Sequence, residues 1–137
     1  MARFITFLLL TAFSFAACDK SEVNKQRETL SVSNVVKTGD WMVLYFENNV
    51  SMDIGVTFIK FSSTGSAVAT KDGTNYNGTW TEANTGGNHT ITINIATTDS
   101  KLQLANGTWK VVNIAENLID LKDTNVSGKA TIQLMKH

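Results

Sequence analysis

Apolar and polar residues alternate along most of the chain after residue 40. In the segment 90–95, Ile91, Ile93 and Ile95 lie on one face, and threonine or asparagine lies on the other. Period-two alternation is typical of a strand with one buried and one solvated face. Further strands are predicted at residues 41–46, 56–61, 67–70, 76–82, 108–114, 118–121 and 130–135, and one more is marked by Leu102 and Leu104. The pattern therefore predicts eight or nine short strands.

Turn-forming residues separate these runs. An Asn-Asn pair stands at 48–49, Asp-Gly at 72–73 and Asn-Gly at 106–107, and such residues tolerate the positive φ of tight hairpin turns. Short connections favour antiparallel pairing between chain neighbours. Closing the sheet removes both open edges, and the chain has no proline that could protect an edge. We therefore expect an all-β, closed, antiparallel up-and-down barrel; an open sandwich is the alternative.

The first residues have the three parts of a secretory signal peptide. Arg3 precedes an apolar run at 4–15, and Ala16, Ala17 and Cys18 follow. The run is shorter than the roughly 20 apolar residues of a membrane-spanning helix. Residues 15–18, Phe-Ala-Ala-Cys, resemble the lipobox of bacterial lipoproteins. The resemblance implies cleavage before Cys18 and attachment of a diacylglycerol to its sulfur.

Cys18 is the only cysteine of the chain. A lone cysteine in a secreted protein has no intramolecular disulfide partner, and acylation would consume its thiol. An ordinary signal peptide with an incidental cysteine is the alternative. We expect a signal peptide at 1–17, a lipid-anchored tether with a short helix at 18–37, and a barrel domain at 38–137. This organisation predicts an outer-membrane lipoprotein on either the periplasmic or the exposed face.

Composition narrows the possible partners. The 137 residues suffice for one domain, and 12 basic residues balance 12 acidic ones. Because no basic stripe is present, nucleic acid is not an expected partner. The chain has two histidines, His89 and His137, well apart in the sequence, so we expect neither a metal nor another cofactor.

Each tryptophan follows a glycine by two positions: Trp41, Trp80 and Trp109. A glycine so placed shares the strand face of the tryptophan and leaves room where a ring or a neighbouring backbone crosses closely. Gly-Asp-Trp at 39–41, after a short helical segment, resembles the lipocalin signature. The stretch from about 38 to 136 resembles the lipocalin-like domains of small Gram-negative lipoproteins. That resemblance implies that Trp41 packs across the closed base of the barrel.

The aromatic residues allow two interpretations. They can close and fill the core, or Trp41, Phe61, Trp80 and Trp109 can form a platform for a ligand. An eight-stranded barrel is either filled by side chains or holds one small molecule. We expect binding of a small apolar ligand. The alternative is a packed structural or protein-interaction module, and the oligomeric state is left open.

No catalytic constellation is visible, so we do not expect an enzyme. Asp120 lies between Ile119 and Leu121, which predicts a side chain on the outer face of the barrel. An assembly of Glu82, Glu116 or Asp120 around His89 would instead indicate acid–base chemistry.

Overall fold

The computed structural model describes residues 31–124 and 129–137. The predicted signal peptide and Cys18 lie outside them. The described residues form nine strands and two short helices: α1 (Val32–Val36), β1 (Asp40–Glu47), β2 (Val50–Met52), β3 (Thr57–Phe61), β4 (Ser66–Lys71), β5 (Thr74–Thr85), β6 (Asn88–Ile95), α2 (Ser100–Gln103), β7 (Gly107–Ile114), β8 (Leu118–Asp123) and β9 (Ala130–Lys136). Neither of these helices is long and apolar enough to cross a bilayer.

The sheet closes on itself. Every neighbouring pair is antiparallel, and β1 pairs with β9 from Trp41, opposite Lys136, to Glu47, opposite Ala130. Eight strands complete the ring, while β2 is an extra strand on the edge of β1. The predicted closed antiparallel barrel and the short helix before it are therefore confirmed, and the open sandwich is wrong.

The extra strand arises from a shift in register along β1. Tyr45 lies opposite Met52, whereas Met42, three residues earlier, lies opposite Phe58, six residues later. Between these two pairs, the chain from β2 to β3 therefore has three more residues than β1 has. The segment 53–56 does not pair with β1. Because all three residues of β2 are exposed, no buried face marked this strand in the sequence.

The inner faces of the strands form one hydrophobic core. Ile91, Ile93 and Ile95 are at most 2% exposed, as their alternation predicted. Each such side chain stabilises the fold by roughly 1.5–3 kcal/mol through removal of apolar surface from water. The outward residues of the same strand are polar and interact across strands, as in the 2.9 Å contact between the hydroxyls of Thr92 and Thr108.

The strand predicted at Leu102 and Leu104 is wrong, because Leu102 belongs to helix α2 and Leu104 is its C-cap residue. Asp99 precedes this helix, and its carboxylate accepts hydrogen bonds from the backbone N–H groups of Lys101 and Leu102. Such a cap satisfies donors that a short helix leaves unpaired. Leu102 is buried, whereas Leu104 is 38% exposed. In a strand, the two leucines would have shared one face.

Candidate functional site

The barrel interior is the first candidate site, because all four aromatic residues singled out in the sequence lie there. Trp41, Phe61, Trp80 and Trp109 are between 0% and 5% exposed. They form separate contacts. Phe61 and Trp80 meet edge to face at 5.5 Å, and Trp109 meets Tyr45 in the same way at 6.5 Å. These residues therefore do not present one open aromatic platform.

Each indole nitrogen is engaged with backbone. The Nε1–H of Trp41 donates to the carbonyl of Val36 at 2.7 Å, and that of Trp109 donates to the carbonyl of Ala105 at 3.1 Å. The corresponding group of Trp80 donates to the carbonyl of Ser62 at 2.9 Å. A buried indole N–H needs such a partner. In each case the acceptor belongs to a segment outside the barrel strands, so each tryptophan ties a helix or connection to the core.

Helix α1 covers one end of the barrel, which we call the α1 end. Its residues Val32, Val35 and Val36 are buried against the core. The backbone N–H of Ser33, in the first turn, donates to the Glu82 carboxylate at 3.0 Å. This contact satisfies one of the unpaired donors at the start of the helix. With the Trp41 bond at its other end, α1 is held at both termini.

The acid–base residues named from the sequence come together only in part. Glu82 lies beside His89, with Oε1 3.8 Å from Nδ1. That separation is too long for a hydrogen bond, and Nδ1 is a buried atom without a hydrogen-bond partner among the described residues. Asp120 lies on the outer face, where it accepts from Asn113 and Gln133. Glu116 borders a separate crevice of about 260 Å³ beside α1.

At the opposite end of the barrel, the α2 end, a buried lysine pairs with a partly exposed aspartate. The Nζ of Lys71 lies 2.6 Å from Oδ2 of Asp99, and Lys71 is 7% exposed. Lys71 holds the pKa of the Asp99 carboxyl below its usual range, and the backbone N–H of Leu102 lowers it further. The same carboxylate therefore caps α2 and neutralises a lysine that points into the barrel.

The segment 53–56 completes this end. Ile54 is 3% exposed and belongs to the core cluster. The backbone N–H of Gly55 donates to Asp53, and this bond, together with Lys101, lowers the pKa of the Asp53 carboxyl. Lys101, in α2, lies 3.7 Å from Asp53. The hydroxyl of Thr57, beneath the segment, is buried and has no hydrogen-bond partner among the described residues.

Lys71 and Tyr45 are buried residues of the interior that were not predicted from the sequence. The sequence pattern does place Lys71 inside, because it continues the period-two series of Ala67 and Ala69 in β4. A lysine next to an Asp-Gly turn, however, is typical of a solvent-exposed turn residue. The interior position of Tyr45 has a physical consequence. Burial, with a smaller effect of Glu47 and Asp123, raises the pKa of its hydroxyl.

A groove of about 430 Å³ lies outside the barrel, on the outer faces of β3 and β4. Phe58 and Val68 are among its lining residues, together with Asp40, Thr70 and Asn75. His137 meets Phe58 edge to face at 5.0 Å. Within the described part of the chain, no three metal-ligating side chains of His, Cys, Asp or Glu come together. The groove is thus a mixed polar and apolar surface.

Comparison with known proteins supports the fold. No protein-family model matches the chain, and no curated protein matches it. The structure is similar to that of a DUF4847 family protein from Bacteroides vulgatus, with a TM-score of 0.58 and 15% identity, covering 78% of this chain and 98% of that one. A lipocalin-like protein from Bacteroides uniformis aligns with 20% identity and a TM-score of 0.49, covering 74% and 98%.

The closed antiparallel barrel fold that the sequence resemblance implies is confirmed. The closed eight-strand ring, the preceding short helix and the buried Trp41 at the α1 end provide the geometry. At the identities found, the likeness to solved structures concerns the fold alone.

Proposed function

We propose that this chain is a bacterial outer-membrane lipoprotein whose lipocalin-like barrel is a packed module that acts through its outer surface. The anchoring part is supported by Arg3, the apolar run at 4–15 and the small residues before Cys18, the one cysteine of the chain. The membrane is then its partner through the lipid. The tether leads into α1, so the α2 end is the end remote from the point where the chain enters the barrel.

The hydrogen bonding of the three tryptophans carries the packed interpretation. A ligand platform needs accessible ring faces and free polar groups. Here Trp41, Trp80 and Trp109 are buried, and the indole N–H of each donates a hydrogen bond to a backbone carbonyl. Both ends of the barrel are also covered, by α1 at one end and by Ile54 and α2 at the other. These contacts favour an interior that stabilises the fold over one that takes up and releases a small molecule.

A binding experiment separates the packed module from the container of a small apolar ligand. The purified full chain is titrated with a fluorescent fatty acid and with 1-anilinonaphthalene-8-sulfonate. Leu134→Ala is a control titrated with benzene, because it removes a fully buried side chain of β9 and opens a cavity that a molecule of about that size can enter. We expect the variant to bind benzene and the natural chain to bind neither the fatty acid nor the dye. Stoichiometric binding to the natural chain, lost when Trp80 or Trp109 is replaced by leucine, would establish the container instead.

Acylation is tested independently. Cells that produce the full chain are labelled with an alkyne-bearing palmitate analogue, and the membrane fraction is analysed by mass spectrometry. We expect label and membrane association in the natural chain, and loss of both in Cys18→Ser. Ser14→Ala, a change within the apolar run, is the matched control that retains both. An unlabelled mature protein would establish the ordinary signal peptide.

A further inference from the structure

Among the described residues, strand β2 has one open edge, whereas every other strand is paired on both sides. It is the end of the sheet order, with β1 as its one neighbour among the described residues. Val50 is 62% exposed and Met52 41%. Open edges are templates for pairing with another strand, and proteins usually protect them with proline, lysine or a covering segment. Val50–Met52 contains neither of these residues.

The turn determines which backbone groups this edge presents. Asn48 and Asn49 have φ values of 52° and 64°, as in a two-residue type I′ turn, and Glu47 lies opposite Val50. The residues that flank such a turn hydrogen-bond each other across it. Because the bonding direction alternates along an antiparallel strand, the N–H and C=O of Ser51 point away from β1. They are the donor and acceptor of the open edge.

The edge is complementary to itself. When two β2 strands run antiparallel with Ser51 on a two-fold axis, the two Ser51 residues exchange both backbone hydrogen bonds. Val50 of each copy then faces Met52 of the other. Apolar residues thus meet apolar residues, and no two like charges lie directly opposite each other. A two-fold contact uses the same patch on both subunits.

We propose that β2 is a docking edge for a second copy of this chain, joined antiparallel through Ser51. This inference deepens the proposed function, because it names the part of the outer surface that acts and its partner. The edge lies at the α2 end, beside residues 45–47 of β1, and so at the opposite end of the barrel from α1. Contacts smaller than about 1,000 Å² are transient, but two molecules anchored in one membrane meet at a high effective concentration.

Cross-linking tests this arrangement in the full chain in its membrane. Ser51→Cys places two thiols across the axis at a Cα separation of about 5.5 Å, within the range of a disulfide. Ser63→Cys, which replaces another exposed serine in the β3–β4 turn, is the matched control. We expect oxidation to join the Ser51→Cys copies and to leave the Ser63→Cys copies monomeric. Equal dimer formation in both variants, or in neither, would overturn the proposal.

Oxidation of the natural chain under the same conditions distinguishes failure of the docking proposal from failure of the anchoring proposal. A disulfide-linked natural chain would mean that Cys18 is unacylated. The Ser51→Cys and Ser63→Cys comparison is then repeated in the Cys18→Ser background.

A second measurement uses the edge itself. In the full chain, we expect amide NMR shifts of Val50, Ser51 and Met52 to change with protein concentration. Ser51→Pro removes the outward N–H without removing a bond to β1, so the concentration dependence should be lost. Val50→Lys is the milder variant in case proline disturbs the hairpin. Shifts that do not depend on concentration, or that involve another surface, would contradict a contact through β2.

Discussion

The ammonium of Lys71 lies 2.6 Å from the carboxylate of Asp99, which joins β4 to the start of α2. The lysine is almost fully buried, while the carboxylate also accepts two backbone N–H groups. Breaking such a pair from one side leaves a buried charge without compensation, whereas replacing the lysine by an apolar side chain avoids that cost.

We therefore expect Asp99→Ala to lower the free energy of unfolding more than Lys71→Met does. Asp99→Ala leaves the buried Lys71 ammonium without its carboxylate partner and also removes the cap of α2. Urea unfolding of the two variants and of the double variant measures this order. The double variant should lose less than the sum of the single changes. A larger loss for Lys71→Met would mean that the aliphatic stem, rather than the charge, governs this end of the barrel.

Acid should weaken the α2 end first. The pKa values of Asp53 and Asp99 in the folded chain are below their ordinary value, so the folded state binds these protons less readily than the unfolded state. The stability from both groups is complete above the ordinary carboxyl pKa of about 4, and it is lost as the pH falls through the lower folded-state values.

Unfolding free energies measured from neutral pH down to about pH 2 test this. The double variant Asp53→Asn, Asp99→Asn should show a shallower acid dependence than the natural chain. Asp72→Asn, the same chemical change in the exposed β4–β5 turn, serves as the control and should retain most of the dependence. An unchanged slope in the double variant would assign the acid dependence to other carboxylates.

The glycine before Trp80 should be intolerant of a side chain. A Cβ at Gly78 would overlap the carbonyl oxygen of Asn94 and lie 2.8 Å from the Cα of Ile95, both on the neighbouring strand β6. A Cβ at Gly39, in the same motif, would meet the flexible side chain of Lys136 at 3.2 Å. Overpacking that must displace backbone costs about 1–3 kcal/mol.

Gly78→Ala is accordingly expected to lower the unfolding free energy by about 1–3 kcal/mol. Gly39→Ala is expected to lower it by less, because a lysine side chain can move aside. Thermal and urea denaturation of both variants provide the comparison. Similar losses of unfolding free energy in the two variants would show that the close backbone of β6 is not the reason why a glycine precedes Trp80.

The bond from Trp41 to Val36 should control the docking of α1. Trp41→Phe keeps an aromatic ring but removes the donor, leaving the Val36 carbonyl without this partner. A lost hydrogen bond of this kind costs about 0.5–1.5 kcal/mol, and more where the acceptor stays buried. We expect faster amide hydrogen exchange in α1, with the barrel strands remaining protected.

Trp109→Phe is the matched control, since its indole donates to the carbonyl of Ala105 near α2. It should accelerate exchange around α2 and leave α1 unchanged. If the two variants gave the same exchange pattern, the tryptophans would stabilise the core as a whole rather than holding separate segments.

Several features could be predicted from the residues because their causes are local. The alternation at Ile91, Ile93 and Ile95 records which face of a strand is buried, and the Asp-Gly pair at 72–73 supplies the positive φ of a hairpin turn. The helix at 100–103 could not be predicted from a local pattern. A single turn has too few residues to show a helical period, and two leucines at i and i+2 imitate a strand.

The sequence by itself determined the class of strands, their approximate positions and the glycine–tryptophan spacing, because these depend on side-chain alternation and backbone freedom. Only the tertiary structure decided that Lys71 points into the barrel toward Asp99, which is 28 residues away in the chain. It also decided that β2 remains outside the ring. Both outcomes depend on pairing register and on contacts between distant segments, which local periodicity does not encode.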